Sequence, residues 1–172
     1  MRTETIEIYT FNELPEEAKE RAIRDAWEIK VDCDWWHWVY EDAERIGLKI
    51  KSFDDYKLNA VFIDGAEQTA WAILDEHGQS CDTYKLAQEY LADRVALVAK
   101  HSDGIRLDVV SEDNEMAFDC ACDELDEDFL YVLKKQYRVM LINEYEWLTS
   151  DEQVAESLIA NEYEFLSSGE MY

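Results

Sequence analysis

Proline occurs once in this 172-residue chain and glycine five times. That scarcity excludes a collagen-like or linker-like polypeptide. No apolar run approaches the ~18 residues needed to cross a bilayer, and no basic segment followed by an apolar one opens the chain. Cations are few: 16 Lys+Arg stand against 41 Asp+Glu, for a net charge of −25 and a pI near 4.2. A surface this acidic repels DNA, RNA and anionic lipid, so neither nucleic acid nor membrane is an expected direct partner. GxGxxG, P-loop, HExxH and GxSxG patterns are all missing, so no catalytic residue is nominated and an enzyme is not expected. What the chain has is aromatic mass: six Trp, ten Tyr and six Phe, with 48% hydrophobic residues. Disordered acidic chains lack such side chains, so a packed core is expected. The length fits one domain spanning residues 1–172.

Four cysteines stand at 33, 81, 120 and 122. Without a secretory leader, the expectation is free thiols in a reducing cytoplasm, here the cytoplasm of a host cell. Cys33 and His37 lie four apart and would join Cys120 and Cys122 in a zinc site only if all converged tetrahedrally. Cys-x-Cys is a poor chelating pair, and small buried hydrophobes are the favoured reading. His77 and Cys81 would form a nucleophile–base pair across Gly78, but nothing supplies an orienting third group. The Asp-rich stretch lacks the glycine and terminal glutamate of a calcium loop, which leaves loose divalent binding as a minor alternative. No cofactor and no metal ligand is therefore assigned.

Local patterns order the elements. Thr3–Thr10 alternates as a strand, and Asn12 or Pro15 opens a helix whose buried stripe is Ala18, Ala22, Ile23, Ala26 and Trp27. Trp36, Val39, Tyr40, Ala43 and Ile46 mark a second helix stopped by Gly47. Residues 48–53 and 57–63 form a hairpin, 66–77 a short helix, and 82–101 a longer one burying Ala87, Tyr90, Leu91, Val95 and Val98. Ser102-Asp103-Gly104 reads as a turn, and 105–110 fits either a short strand or a helix lead-in. The longest stripe, through Leu125, Phe129, Val132, Leu133, Tyr137, Met140, Leu141, Tyr145 and Leu148, predicts a helix over 119–148. Ser150 and Gln153 match a capping box for a final helix, and 162–166 alternates as a closing strand. The fold class is α+β: a small antiparallel sheet, from the first strand, the 48–63 hairpin and the closing strand, covered by several helices.

The acidity is concentrated. Residues 111–172 hold 17 acids and three bases, and no Lys or Arg follows Arg138. Glu112, Asp113, Glu115, Asp119, Asp123, Glu124, Asp126, Glu127 and Asp128 place nine acids in 17 residues without one base. On a helix rising 1.5 Å per residue, that is one charge per ~2.7 Å. Duplex DNA carries one per ~1.7 Å and a single strand one per ~3.4 Å. Like charges four apart destabilise a helix by a few tenths of a kcal/mol each. Such a run is more readily tolerated where something basic binds it, although a merely solubilising face would look the same. The nine carboxylates are therefore the candidate partner-binding residues. Trp35 joins them as an anchor, because three tryptophans in Trp35-Trp36-His37-Trp38 cannot all face one side of a helix.

Three stretches carry a resemblance. Tyr9-Thr10-Phe11-Asn12-Glu13-Leu14 with Glu16-Glu17-Ala18-Lys19 is similar to small acidic proteins of phages and mobile elements. So are Trp35-Trp36 with Val39–Ala43 and Ile46-Gly47-Leu48, and the tail Glu144–Glu152 with Ala160–Phe165. By acidity and context that group resembles anti-CRISPR and anti-restriction inhibitors, several of which mimic DNA, and some of its members are described as antitoxins. The resemblance implies a non-enzymatic inhibitor of a host nucleic-acid-targeting complex, with a basic groove of a CRISPR–Cas effector as the leading partner. The alternative is an antitoxin-like or regulatory module that neutralises a basic protein without copying DNA. A metal-dependent enzyme built from dispersed carboxylates ranks third.

Overall fold

The computed structural model describes residues 5–54, 56–106 and 112–172, without the side chains of 103–106 and 112–114. It is mixed α+β and contains two small antiparallel ribbons. Contacts divide the chain into two compact units, residues 37–141 and residues 1–36 with 142–172.

In the 37–141 unit, helix α2 (His37–Arg45) buries Val39 and Ala43 and ends where Gly47 takes φ 79°. Only glycine adopts that conformation without strain. The chain reverses there into the hairpin of β2 (Leu48–Phe53) and β3 (Leu58–Phe62), whose alternate residues Leu48, Ile50, Leu58 and Ala60 are buried. The Asp54 carboxylate accepts from the N–H groups of Tyr56 (2.8 Å) and Lys57 (2.7 Å) and so closes the turn. Helices α3 (Ala66–Glu76) and α4 (Asp82–Arg106) pack together. Helix α5 runs over Glu112–Leu148 and buries Cys122, Phe129, Leu133, Tyr137 and Leu141 on one stripe. Phe129 stacks on Tyr90 at 4.4 Å and on Phe62 at 5.8 Å, joining α4, β3 and α5.

In the other unit, β1 (Tyr9–Thr10) pairs with β4 (Glu164–Phe165), and a 3-10 turn at Phe11–Glu13 leads into α1 (Glu16–Asp25). The Thr10 N–H and hydroxyl both donate to Glu13, which holds that carboxyl below its usual range. Helix α6 (Asp151–Ala160) starts at Ser150, whose hydroxyl accepts from the Gln153 N–H at 3.4 Å. Phe11, Leu14, Ala18, Ala22, Val154, Leu158 and Phe165 form the core of this unit. Gly169, at φ 83°, lies against the Ala18 carbonyl so closely that no side chain fits there.

Several expectations change. The strands separate into two ribbons, because Tyr9 finds its ladder partner in Phe165 rather than in the hairpin. Residues 5–8 form no strand, and Ile6 and Ile8 are exposed. No turn occurs at 102–104: α4 continues to Arg106, and the Ser102 hydroxyl donates back to the Val98 carbonyl. Residues 105–106 belong to that helix, while 107–110 lie outside the described residues. Val95 (68% exposed) and Val98 face solvent, as does Trp27 (43%), against the burial their spacing implied. Gln153 leaves the capping box half made, since its Oε1 accepts from Lys30 Nζ at 2.6 Å and the Ser150 N–H donates to the Trp147 carbonyl instead.

Candidate functional site

The buried stripe of α5 decides which acids face outward. With Cys122, Phe129 and Leu133 turned inward, Glu115, Asp119, Asp123, Glu124, Glu127 and Asp128 are exposed. None of these six pairs with Lys or Arg among the described residues. Asp126 differs. It is half-buried and accepts from the Tyr90 hydroxyl (2.7 Å) and the Arg94 guanidinium (2.8 Å), with Glu67 at 4.0 Å from the same arginine. Burial first, and Asp126 second, push the Tyr90 hydroxyl pKa up. Asp126 is thus an internal bracket between α4 and α5. Glu112 and Asp113 lie in the first turn of α5, and their side chains are outside the described residues.

Six exposed carboxylates from 115 to 128 cover about 20 Å of helix, roughly one per 3.3 Å. That spacing approaches the ~3.4 Å per phosphate along one DNA strand. Four of them, Glu115, Asp119, Asp123 and Glu127, recur every four residues and so form one row about 6 Å apart. Glu124 and Asp128 sit on the adjoining face, with Asp93 and Lys100 of α4 around a cleft of ≈ 410 Å³. Among the described residues, the arrangement offers carboxylates without ion pairs along one helix. Such a surface can attract a basic one and release counterions on contact.

A second polar cluster lies inside the same unit. Tyr137 of α5 donates to Asp42 Oδ2 of α2 at 2.8 Å. His77, at the end of α3, places Nε2 3.5 Å from the same oxygen, and its Nδ1 shares a 2.7 Å hydrogen bond with the Thr83 hydroxyl. At 3.5 Å the His77–Asp42 contact is at the long edge of hydrogen bonding, and Nε2 has no better partner. His77 first, then Tyr137 and Arg45, hold the Asp42 carboxyl below its usual range against the opposing effect of burial. Burial, then Asp42, pushes the Tyr137 hydroxyl pKa up. Hydroxyl, imidazole and carboxylate lie in sequence, yet Thr83 is only 2% exposed. Asp42, His77 and Thr83 line a cleft of ≈ 440 Å³ with Trp38, Glu76 and Met140, but the Thr83 hydroxyl is nearly buried and committed to His77, so the cluster reads as a polar clasp joining α2, α3, α4 and α5. The His77–Cys81 pair, considered and not favoured from the sequence, does not form: His77 bonds Thr83 instead, and Cys81 is exposed.

In the 1–36/142–172 unit, aromatic rings form a row. Trp27 meets Tyr145 edge to face at 6.4 Å, Tyr145 packs against Trp35 at 5.4 Å, and Trp35 meets Trp36 at 5.7 Å. Trp35 is half-buried within this row, and Lys30 Nζ lies 5.6 Å from the Trp147 ring centre. Among the three neighbouring tryptophans the exposed one is Trp38, at 48%. Cys33 and Cys120 are exposed and Cys122 is buried. No group of three or more His, Cys, Asp or Glu suited to a metal ion occurs among the described residues. No helix among them is long and apolar enough to cross a membrane.

The α5 acids were visible in sequence because they are contiguous. The Asp42–Tyr137–His77–Thr83 clasp was not, because its members lie up to 95 residues apart. Trp27 was hidden by its place in an apolar series, and only the end of α1 at Asp25 turns it outward. Comparison with family models, curated proteins and solved structures returns no match.

Proposed function

We propose that this chain is a non-enzymatic inhibitor that lays the acidic face of α5 into the basic groove of a host nucleic-acid-targeting defence complex, a CRISPR–Cas effector being the leading candidate. The observation that carries this reading is the set of six exposed carboxylates along 115–128, without a basic partner among the described residues, at nearly the axial spacing of single-strand phosphates. A groove built for DNA presents Lys and Arg at matching intervals, and Arg side chains that read base edges also fork onto carboxylates. The self-repulsion of the row is relieved on binding, which favours the complex over the free chain. The resemblance to phage and mobile-element inhibitors supports the same reading.

The test is a competition between this protein and target duplex for a purified guide-loaded CRISPR–Cas effector. Wild type should block DNA loading stoichiometrically, with an effect that falls steeply with salt. Charge reversal of Glu115, Asp119, Asp123 and Glu127 to Lys should weaken inhibition on the order of 10²-fold. Reversal of Glu44, Asp64, Asp75 and Glu89, exposed elsewhere in the same unit, should do far less. Equal losses from both sets would reduce the acidity to solubility. Binding without any block to DNA loading would favour the antitoxin-like alternative.

A further inference from the structure

We propose that Trp27 and the two acid-lined clefts flanking it form a docking site for an arginine-bearing segment of a partner protein, with one guanidinium laid over the indole. The site lies wholly in the 1–36/142–172 unit and does not depend on the α5 reading.

Trp27 follows the last turn of α1, where Ala26 leaves helical geometry and consecutive turns carry the chain to Val31. It lines both clefts. One, of ≈ 500 Å³, is lined by Glu20, Ile23, Arg24 and Asp151 together with Trp27. The other, of ≈ 460 Å³, places Asp25, Glu28 and Asp32 beside it. Among the described residues Arg24 is the one cation lining either cleft, and it lies 3.9 Å from Asp25, as Arg21 lies 3.4 Å from the same residue. Glu20, Glu28, Asp32 and Asp151 have no basic partner among the described residues.

Charge complementarity selects the occupant. An exposed indole between carboxylates fits a planar cation that can stack and donate at once, and arginine does both where lysine offers only a point charge. The neighbouring Lys30–Trp147 contact shows a cation already seated on an indole in this unit. Tyr145 packs edge to face against Trp27 at 6.4 Å, which restricts the ring and reduces the side-chain freedom lost on binding. A pre-positioned tryptophan of this kind is a typical interface hot spot.

The test titrates the full chain at about 0.15 M salt with a synthetic peptide of alternating Arg and Gly. A second peptide carries citrulline, of the same shape but neutral, at every Arg. Indole N–H resonances are followed by NMR, the Trp27 signal being the one removed by Trp27→Phe. The Arg peptide should shift that signal more than any other indole, and the citrulline peptide should not. Trp27→Ala should weaken binding about tenfold and Trp27→Phe about threefold. Combined E20Q, E28Q, D32N and D151N should weaken it comparably while the indole stays in place, which decides the matter if Trp27→Ala fails to fold. The α5 Lys variant should retain the Trp27 shift, so failure of either reading is seen separately. Equal response to citrulline, unchanged affinity of both the indole and carboxylate variants, or loss only in the α5 variant would overturn the site. So would self-association of the wild type that Trp27→Ala abolishes, since the occupant would then be a second copy.

Discussion

The two compact units carry nearly equal net charge in different ways. Residues 1–36 with 142–172 hold 18 acids and 5 bases, net −13, while residues 37–141 hold 23 acids and 11 bases, net −12. In the larger unit nine acids crowd into 112–128, where Asp126 alone pairs with a base (Arg94) among the described residues, and the remaining 14 share the unit with pairs such as Arg45–Glu76 and Lys85–Asp82. The smaller unit spreads its charge over several elements, and five of its acids line the clefts beside the exposed Trp27. Net charge therefore says little about how a surface recognises anything. A dense row on one helix suits a long polyanion-binding groove, whereas dispersed acids around an indole suit a single cationic side chain.

The comparison is broken most severely through the cores. Phe129→Ala removes a 3%-exposed ring stacked on Tyr90 and Phe62 and should cost about 3–5 kcal/mol. Leu158→Ala in the other core should cost about 2–5 kcal/mol. Hydrogen exchange should show protection falling first within residues 37–141 for Phe129→Ala and within 1–36 and 142–172 for Leu158→Ala. Uniform loss from either variant would mean that the two units open together.

A smaller effect separates paired from unpaired acids. Asp42→Ala leaves the buried Tyr137 hydroxyl without its acceptor and should cost roughly 1–3 kcal/mol at neutral pH. The Asp42 carboxyl lies below its ordinary value of 3.8, so its contribution is present above that value and is lost as pH falls through the lower folded value. Denaturant titrations of wild type and variant should therefore differ at pH 7 and converge in strong acid. A gap that stays constant with pH would assign the loss to packing alone.

The smallest effect has the opposite sign. Asp119→Asn, Asp123→Asn and Glu127→Gln together remove like-charge neighbours four apart and should raise stability by a few tenths of a kcal/mol per pair at low salt. The gain should fade as salt screens it. A loss of stability would show that these carboxylates are supported by favourable contacts rather than merely endured.

Much of the helical framework was legible locally. Gly47 ends α2 at positive φ, Ser150 starts α6, and the four-residue recurrence of Phe129, Leu133, Tyr137 and Leu141 sets the inner face of α5. The same recurrence exposes Asp119, Asp123 and Glu127. What misled were signals whose meaning depends on neighbours. Ser102-Asp103-Gly104 looks like a stop, but the Ser102 hydroxyl donates within the helix and the cost of one glycine, about 1 kcal/mol, is borne by the surrounding turns. Val95 and Val98 have helical spacing, but spacing cannot say whether a partner covers that face.

By itself the sequence determined the charge, its crowding into 112–128, the α+β class and the register of the long helix, because each follows from composition or from periodicity within one element. Only tertiary structure decided that Tyr9 pairs with Phe165 and that Asp126 is bracketed by Tyr90 and Arg94 while its neighbours stay free. It also decided that Asp42, Tyr137, His77 and Thr83 meet and that Trp27 stands outside its core. The physical reason is common to all four. Periodicity fixes the direction of a side chain relative to its own helix or strand, whereas pairing and burial depend on which distant segment arrives opposite it, and no local pattern encodes that.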